Sequence, residues 1–187
     1  MKRVFVGLFA ISVIAVTALT SFTSHKSTTA IKHRFFHSAL VGTPYIIVNK
    51  SDFELKVYDD EGWYATYPIV LGNKNLADKM IEGDRKTPEG VYHIVSKRPH
   101  EKWDKMMLLD YPTAADIAKF NQRKSEGLIP RSARIGGGIG IHGTWPRDDM
   151  AVDYMQQWTN GCISLKNDMV DELYSMVPVG TQVTINH

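Results

Sequence analysis

Apolar side chains along this chain recur mainly at alternate positions or in short runs, and helical spacing is rare. Tyr45–Val48 is a continuous apolar run of the kind a buried strand shows. Phe53–Tyr58 alternates apolar with polar, as a strand with one exposed face does. Asp59–Gly62 reads as a turn into a third strand, Trp63–Leu71, closed by Gly72 and Asn73. These three predict an antiparallel meander. Further strands are expected at Gly90–Lys97, Ile139–His142, Cys162–Leu165 and Gln182–Asn186. Helical spacing marks Ala114–Ser125, ending near Gly127, and Asp168–Val177. In the second, Asn167 or Asp168 can cap, Met169, Leu173 and Val177 share a face, and Pro178 and Gly180 stop the helix. The pattern predicts a mainly β (α+β) domain with a few peripheral helices.

The N-terminal pattern is different. Lys2 and Arg3 precede Val4–Leu19, an apolar run interrupted only by Gly7, Ser12 and Thr17. Residues 1–22 therefore read as an export signal. It is either cleaved near Val16-Thr17-Ala18 or retained as an inner-membrane anchor, since the run approaches the roughly 18 residues of a spanning helix. No Cys follows it, which excludes a lipoprotein. Residues 23–43, rich in Ser, Thr, His and Lys, read as a linker, and 44–187 as one folded domain. The expected location is the periplasm or cell envelope, with membrane contact only through the N-terminal segment.

Composition narrows the function. The 187 residues are 43% hydrophobic and 22% charged, as folded domains are. A net charge of +2, with no basic run interleaved with aromatics, argues against a nucleic-acid partner. Gly136–Gly140 lacks the Lys-Ser/Thr of a phosphate loop. His25, His33 and His37 lie in the linker and the remaining histidines are scattered, so no metal site is expected.

The chain has one cysteine, Cys162, and no disulfide to form. A lone thiol in an oxidising compartment is exposed to damage, which sets reactivity against the alternative of a small buried hydrophobe. Gly136–Gly143 carries His142, and Trp158–Leu165 carries Cys162, each at the edge of a short apolar strand beside a glycine. Side by side, these strands bring thiol and imidazole together. An imidazolium can then lower the thiol pKa and supply thiolate for attack on a carbonyl. The N–H groups of Gly161 and Cys162 are natural oxyanion donors, and the Gly143 carbonyl is the simplest orienter of the imidazole.

Asn160-Gly161-Cys162-Ile163, with Thr159 before it and Ile141-His142-Gly143 upstream, resembles the signature of the L,D-transpeptidase catalytic domain (YkuD) family. Gly83–Gly90 resembles the family's Thr-Pro-x-Gly segment. The resemblance implies a β-sandwich-like domain acting outside the cytoplasm on peptidoglycan stem peptides. The Cys acylates on the diamino acid at the third stem position, and the terminal D-alanine is expelled. Carried over, Cys162 is the nucleophile, His142 the base, and Gly161 lies at the oxyanion site, with no cofactor or metal. Cross-linking members usually carry His where Asn160 stands and Arg where Ser164 stands. The Thr-Asn-Gly-Cys-Ile-Ser form resembles a divergent branch that includes an amidase-type member releasing a lipoprotein from the wall. The acyl acceptor is therefore open between an amine and water, and the alternative outside enzymes is a non-catalytic wall-binding module that keeps the fold, against which the intact His142 and Cys162 argue.

Thr159, Asn160, Ser164 and Arg134 are candidate substrate contacts, Arg134 as a replacement for the cation missing at Ser164. Trp145, Trp158 and Tyr154 bracket the stretch between His142 and Cys162, either as packing or as a substrate-facing wall. His93 is expected on a strand face.

Overall fold

The computed structural model describes residues 31–34 and 39–187. The signal or anchor expected over 1–22 lies outside the described residues, as does most of the linker expected over 23–43. Among the described residues, no helix is long and apolar enough to cross a membrane.

Among the described residues, nine strands and three helices follow in order: β1 (Lys32–His33), β2 (Tyr45–Asn49), β3 (Glu54–Asp59), β4 (Gly62–Pro68), β5 (Gly90–His100), β6 (Asp104–Leu109), α1 (Ala114–Ser125), β7 (Gly140–His142), α2 (Met150–Asp153), β8 (Ile163–Ser164), α3 (Asn167–Met176) and β9 (Gln182–Asn186). β2, β3 and β4 form the expected antiparallel meander. Alternation fixes its register: Ile46, Val48, Leu55 and Val57 are fully buried, while their neighbours are not. β9 joins β2 in parallel, and the first half of β5 pairs with β9. The strand order is β1-β4-β3-β2-β9-β5-β6-β7-β8.

β5 changes role along its length. Gly90–His93 pair with β9, a bulge falls between Ile94 and Ser96, and the remainder pairs with β6. A bulge bends and twists its strand, and here it turns the sheet onto a second layer, β6-β7-β8. The far end returns to the meander side, because Val70 and Ser164 exchange backbone hydrogen bonds at 2.9 Å in both directions. The core lies between the layers, with Tyr67, Leu71, Ile94, Met107, Ile141, Ile163 and Leu173 among its members.

Three elements depart from the expectations. Lys32–His33, inside the segment expected as linker, pairs with Thr66 and Ala65 of β4. β6 and α2 were not expected as elements. α1 has the expected bounds, fixed by a capping box between Thr113 and Asp116.

Residues 72–89 form a long connection tied down by charge. Asp84 receives Lys79 Nζ at 2.8 Å and the N–H groups of Met80, Ile81 and Lys86. Asp78 takes Lys119 and Arg123 from α1. Lys50, 1% exposed, pairs with Glu89 at 2.7 Å. This connection forms one flank of the site.

Candidate active site

β7 and β8 run side by side in parallel, with Ile141 opposite Ile163 and His142 opposite Ser164. One step back from the first pair, Cys162 faces Gly140 and lies diagonal to His142. Ile141 and Ile163 bury their side chains in the core. Alternation then turns His142, Ser164 and Cys162 to the opposite face.

His142 is 1% exposed. Its Nδ1 lies 2.6 Å from the Gly143 carbonyl oxygen. A carbonyl only accepts, so Nδ1 carries the proton and the neutral ring leaves its Nε2 lone pair free. Ser164 Oγ donates to the same oxygen at 3.2 Å, and the Gly143 N–H donates to Trp103 O at 3.0 Å. The position requires glycine: a Cβ there would lie 2.3 Å from Asn167 Oδ1 and 2.9 Å from Trp103 O. Trp103 stacks on the imidazole with centroids 4.7 Å apart, and His100 stacks on Trp103 in turn, at 4.4 Å. Trp158 meets His142 edge-on at 5.3 Å, and Trp145 covers Trp158.

Burial drives the His142 pKa down to about 4, against the raising effect of the Gly143 carbonyl; the charge of His100 adds a smaller depression. Burial pushes the Cys162 thiol up, opposed by backbone hydrogen bonding from Gly140 and by the Lys79 charge. These directions run against an imidazolium-stabilised thiolate in the resting pair. Both groups are driven toward neutrality, because neither charged form is well solvated. The thiol donates to Gly138 O at 3.5 Å.

The bend before Cys162 is set by Thr159, whose Oγ1 donates to Cys162 O at 2.7 Å and accepts the Gly161 N–H at 3.2 Å. Gly161 has a φ of 117°, and a Cβ there would meet Lys86 O at 2.7 Å. Of the two amides expected to face an oxyanion, that of Gly161 is thus engaged by Thr159. That of Cys162 donates to no protein acceptor among the described residues.

The expected substrate contacts divide. Asn160 is exposed at the mouth. Thr159 is buried and holds the bend, and Ser164 is fully buried and bonded to Gly143 O, so neither presents a face to a ligand. Arg134 is 81% exposed and pairs with Glu82 at 3.1 Å. It does not replace a cation at Ser164, which is sealed within the fold. His93 is on an exposed strand face beside Asp110, away from this cluster. Tyr154 is 72% exposed, while Trp158 packs at the imidazole.

Sequence reasoning missed Trp103 and Arg85. Trp103 lies in the turn between β5 and β6, far from both motifs in sequence. Arg85 reaches across to the strand carrying Cys162, its Nε donating to Thr159 O at 3.1 Å and its Nη2 to Gln157 O at 3.2 Å. Among the described residues, no three His, Cys, Asp or Glu side chains gather in a metal-binding arrangement.

Residues 43–185 match the family model described as the L,D-transpeptidase catalytic domain, YkuD. A putative L,D-transpeptidase, YqjB, of Bacillus subtilis is 31% identical over 150 residues, covering 78% of this chain and 73% of that protein. A probable L,D-transpeptidase of Escherichia coli, YcfS, is 27% identical over 155 residues, covering 75% of this chain and 43% of that protein. Among solved structures, the helical cell shape determining protein Pgp2 of Campylobacter jejuni superposes with a TM-score of 0.58 at 27% identity, over 78% of this chain and 48% of its own. The chain thus spans about half the length of that structure.

Proposed function

This chain belongs to the L,D-transpeptidase catalytic domain (YkuD) family, and we propose that Cys162 and His142 carry its acyl transfer on peptidoglycan stem peptides. The observation that carries the reading is the 2.6 Å bond from His142 Nδ1 to Gly143 O, on a strand paired in parallel with the one that Cys162 enters. That bond fixes the tautomer a base requires.

In this reading the sulfur of Cys162 attacks the carbonyl carbon of the third stem residue while its proton passes to His142 Nε2. Proton transfer in concert with attack suits a pair that rests neutral. The oxygen becomes an oxyanion facing the Cys162 N–H. Collapse breaks the C–N bond, and the leaving amine of the terminal D-amino acid takes the proton from Nε2. A thioester remains. An acceptor amine attacks it, giving its proton to Nε2; the C–S bond breaks, and the departing sulfur of Cys162 takes that proton back. Trp103 and Trp158 hold the ring in plane and limit water around it. Action on the wall places the domain outside the cytoplasm, delivered by the N-terminal segment as a cleaved signal or an anchor. Similarity to a cell-shape protein supports a role in wall remodelling.

The test is mass spectrometry of defined muropeptides incubated with the protein, beside Cys162→Ala. New cross-linked or amino-acid-exchanged products, absent with the variant, are expected. Cleaved stems without exchange would assign the thioester to water, making the protein an L,D-carboxypeptidase or, on a lipoprotein-linked wall, an amidase-type hydrolase. Full activity in Cys162→Ala would overturn the assignment of the nucleophile.

A further inference from the structure

A cleft of about 580 Å³ opens beside the Cys162 bend, with Lys74, Arg85, Tyr154 and Gln157 on its walls. Its electrostatics set it apart from its surroundings. On the same flank, Lys79 pairs with Asp84, Lys119 and Arg123 with Asp78, and Arg134 with Glu82. Among the described residues no carboxylate pairs with Arg85 or Lys74. Arg85 is nevertheless held in place. Its Nε and Nη2 are spent on the carbonyls of Thr159 and Gln157, which orient the guanidinium without neutralising it. Its backbone is fixed too: Asp84, the preceding residue, accepts four hydrogen bonds, and its carbonyl accepts the Asn73 amide at 3.0 Å.

An immobilised guanidinium with its charge uncompensated, on the wall of a cleft, is a binding group prepared for an anion. Holding the side chain beforehand removes the rotamer cost that weakens a free surface cation. The placement fits the reaction. Thr159 precedes Cys162 by three residues, so the carbonyl that holds Arg85 lies within about 10 Å of chain from the nucleophile, and the cleft is within reach of a short peptide acylating Cys162. The neutral wall of Tyr154 and Gln157 suits the body of a peptide.

We infer that the cleft at Arg85 and Lys74 binds a carboxylate of the stem peptide and so sets which stems are accepted. The inference rests on the reading of the site as one for peptidoglycan stems. Two carboxylates of a stem tetrapeptide could occupy it: that of the C-terminal residue, or that on the side chain of the diamino acid.

The test measures Kd by calorimetry on the full chain carrying Cys162→Ala, which binds without turning over. Three synthetic tetrapeptides are compared: unmodified, amidated at the C-terminus, and amidated on the diamino-acid side chain. The expected result is a loss of roughly 10- to 100-fold in affinity, the range of a charge-assisted hydrogen bond, for one amidated peptide and not the other. The peptide that loses identifies the carboxylate. Adding Arg85→Gln should weaken the unmodified peptide by a similar factor and abolish the discrimination. Lys74→Gln should reduce it by about threefold, and the Lys74 side chain makes no hydrogen bond among the described residues.

Equal affinity for all three peptides would overturn the inference, as would an Arg85→Gln variant that weakens all three equally, since a mere prop for Thr159 and Gln157 would do that. If Arg85→Gln fails to fold, Arg85→Lys decides. It keeps the charge without the fork and should retain part of the discrimination, and unchanged discrimination in both it and Lys74→Gln counts against the site. Turnover of the unmodified peptide by the wild-type chain is scored separately. Its absence strikes the proposed reaction, whereas the ratio of Kd values strikes only the subsite.

Discussion

The β2–β3–β4 meander and the β7–β8 pair are parts of one sheet built to opposite rules. The meander strands run five, six and seven residues, and the core-facing positions of β2 and β3 are fully buried aliphatics. β7 and β8 run three and two residues, and both bury polar side chains, His142 and Ser164. The meander is held by burial of apolar area, which is forgiving in detail. The β7–β8 end is held by named hydrogen bonds and by glycines where a Cβ has no room, which is not. Stability and chemistry should therefore separate under mutation.

The largest effect is expected in the meander. Leu55, fully buried between Val48 and Tyr67, should cost about 2–5 kcal/mol of unfolding free energy when changed to Ala. Denaturant titration measures this. The kcat of the remaining folded protein should stay within about twofold of wild type, and a large drop in kcat would dissolve the contrast. Gly143→Ala should do the reverse. Its Cβ must push away Asn167 Oδ1 and Trp103 O, and both that carbonyl and His142 move with it. Misplacement of a base on the scale of 1 Å costs about 100-fold, near 3 kcal/mol of transition-state stabilisation. Steady-state kinetics on defined stems would show it as a fall in kcat, and a variant within threefold of wild type would break the comparison at its centre.

Acid sharpens the contrast. The His142 pKa falls from an ordinary 6.5 to about 4 on folding, so between these values the unfolded chain binds the proton and the folded chain does not. Stability is fully present above about pH 6.5 and is lost as pH falls toward 4. Between pH 6.5 and 5 the loss should be roughly 1.5–2 kcal/mol, and His142→Gln should flatten that slope. The carboxylates act in a lower window. Arg34 holds Asp59 at about 2, and Asp78 and Asp84 are also depressed below the ordinary 3.8, so their contribution is lost only below about pH 4. A slope between pH 6.5 and 5 that survives His142→Gln would assign it to another group.

The same division decided how much could be read from the sequence. The meander and α1 were legible because a short apolar run, alternation and helical spacing are local signals. β6 was not: Met106-Met107-Leu108-Leu109 is apolar without period, and its strand character comes from pairing with β5 and β7. The β1 pairing was hidden because Lys32 and His33 look like linker and gain their partner only from β4. Within the site, Cys162, His142 and the Gly143 carbonyl were legible because they sit in two short glycine-marked segments. Trp103 and Arg85 were not, since each reaches the site through tertiary placement alone. The burial of Thr159 and Ser164, expected as substrate contacts, was hidden for a related reason. A hydroxyl beside a nucleophile reads as a ligand contact in sequence, and only burial shows that it faces inward.

Ser164 offers the smallest and most discriminating test of that last point. Its hydroxyl is fully buried and donates to the oxygen that also holds His142 Nδ1. In Ser164→Ala the carbonyl keeps its imidazole donor, so no buried acceptor is orphaned and the fold should lose only about 1 kcal/mol. The imidazole loses part of the frame that fixes its acceptor, and kcat should fall by roughly 3- to 10-fold, about 1 kcal/mol. KM should not change, because Ser164 touches no ligand. A residue that bound the stem directly would show the opposite split, a raised KM with kcat preserved. That outcome would return Ser164 to the cleft as a neutral contact of the stem.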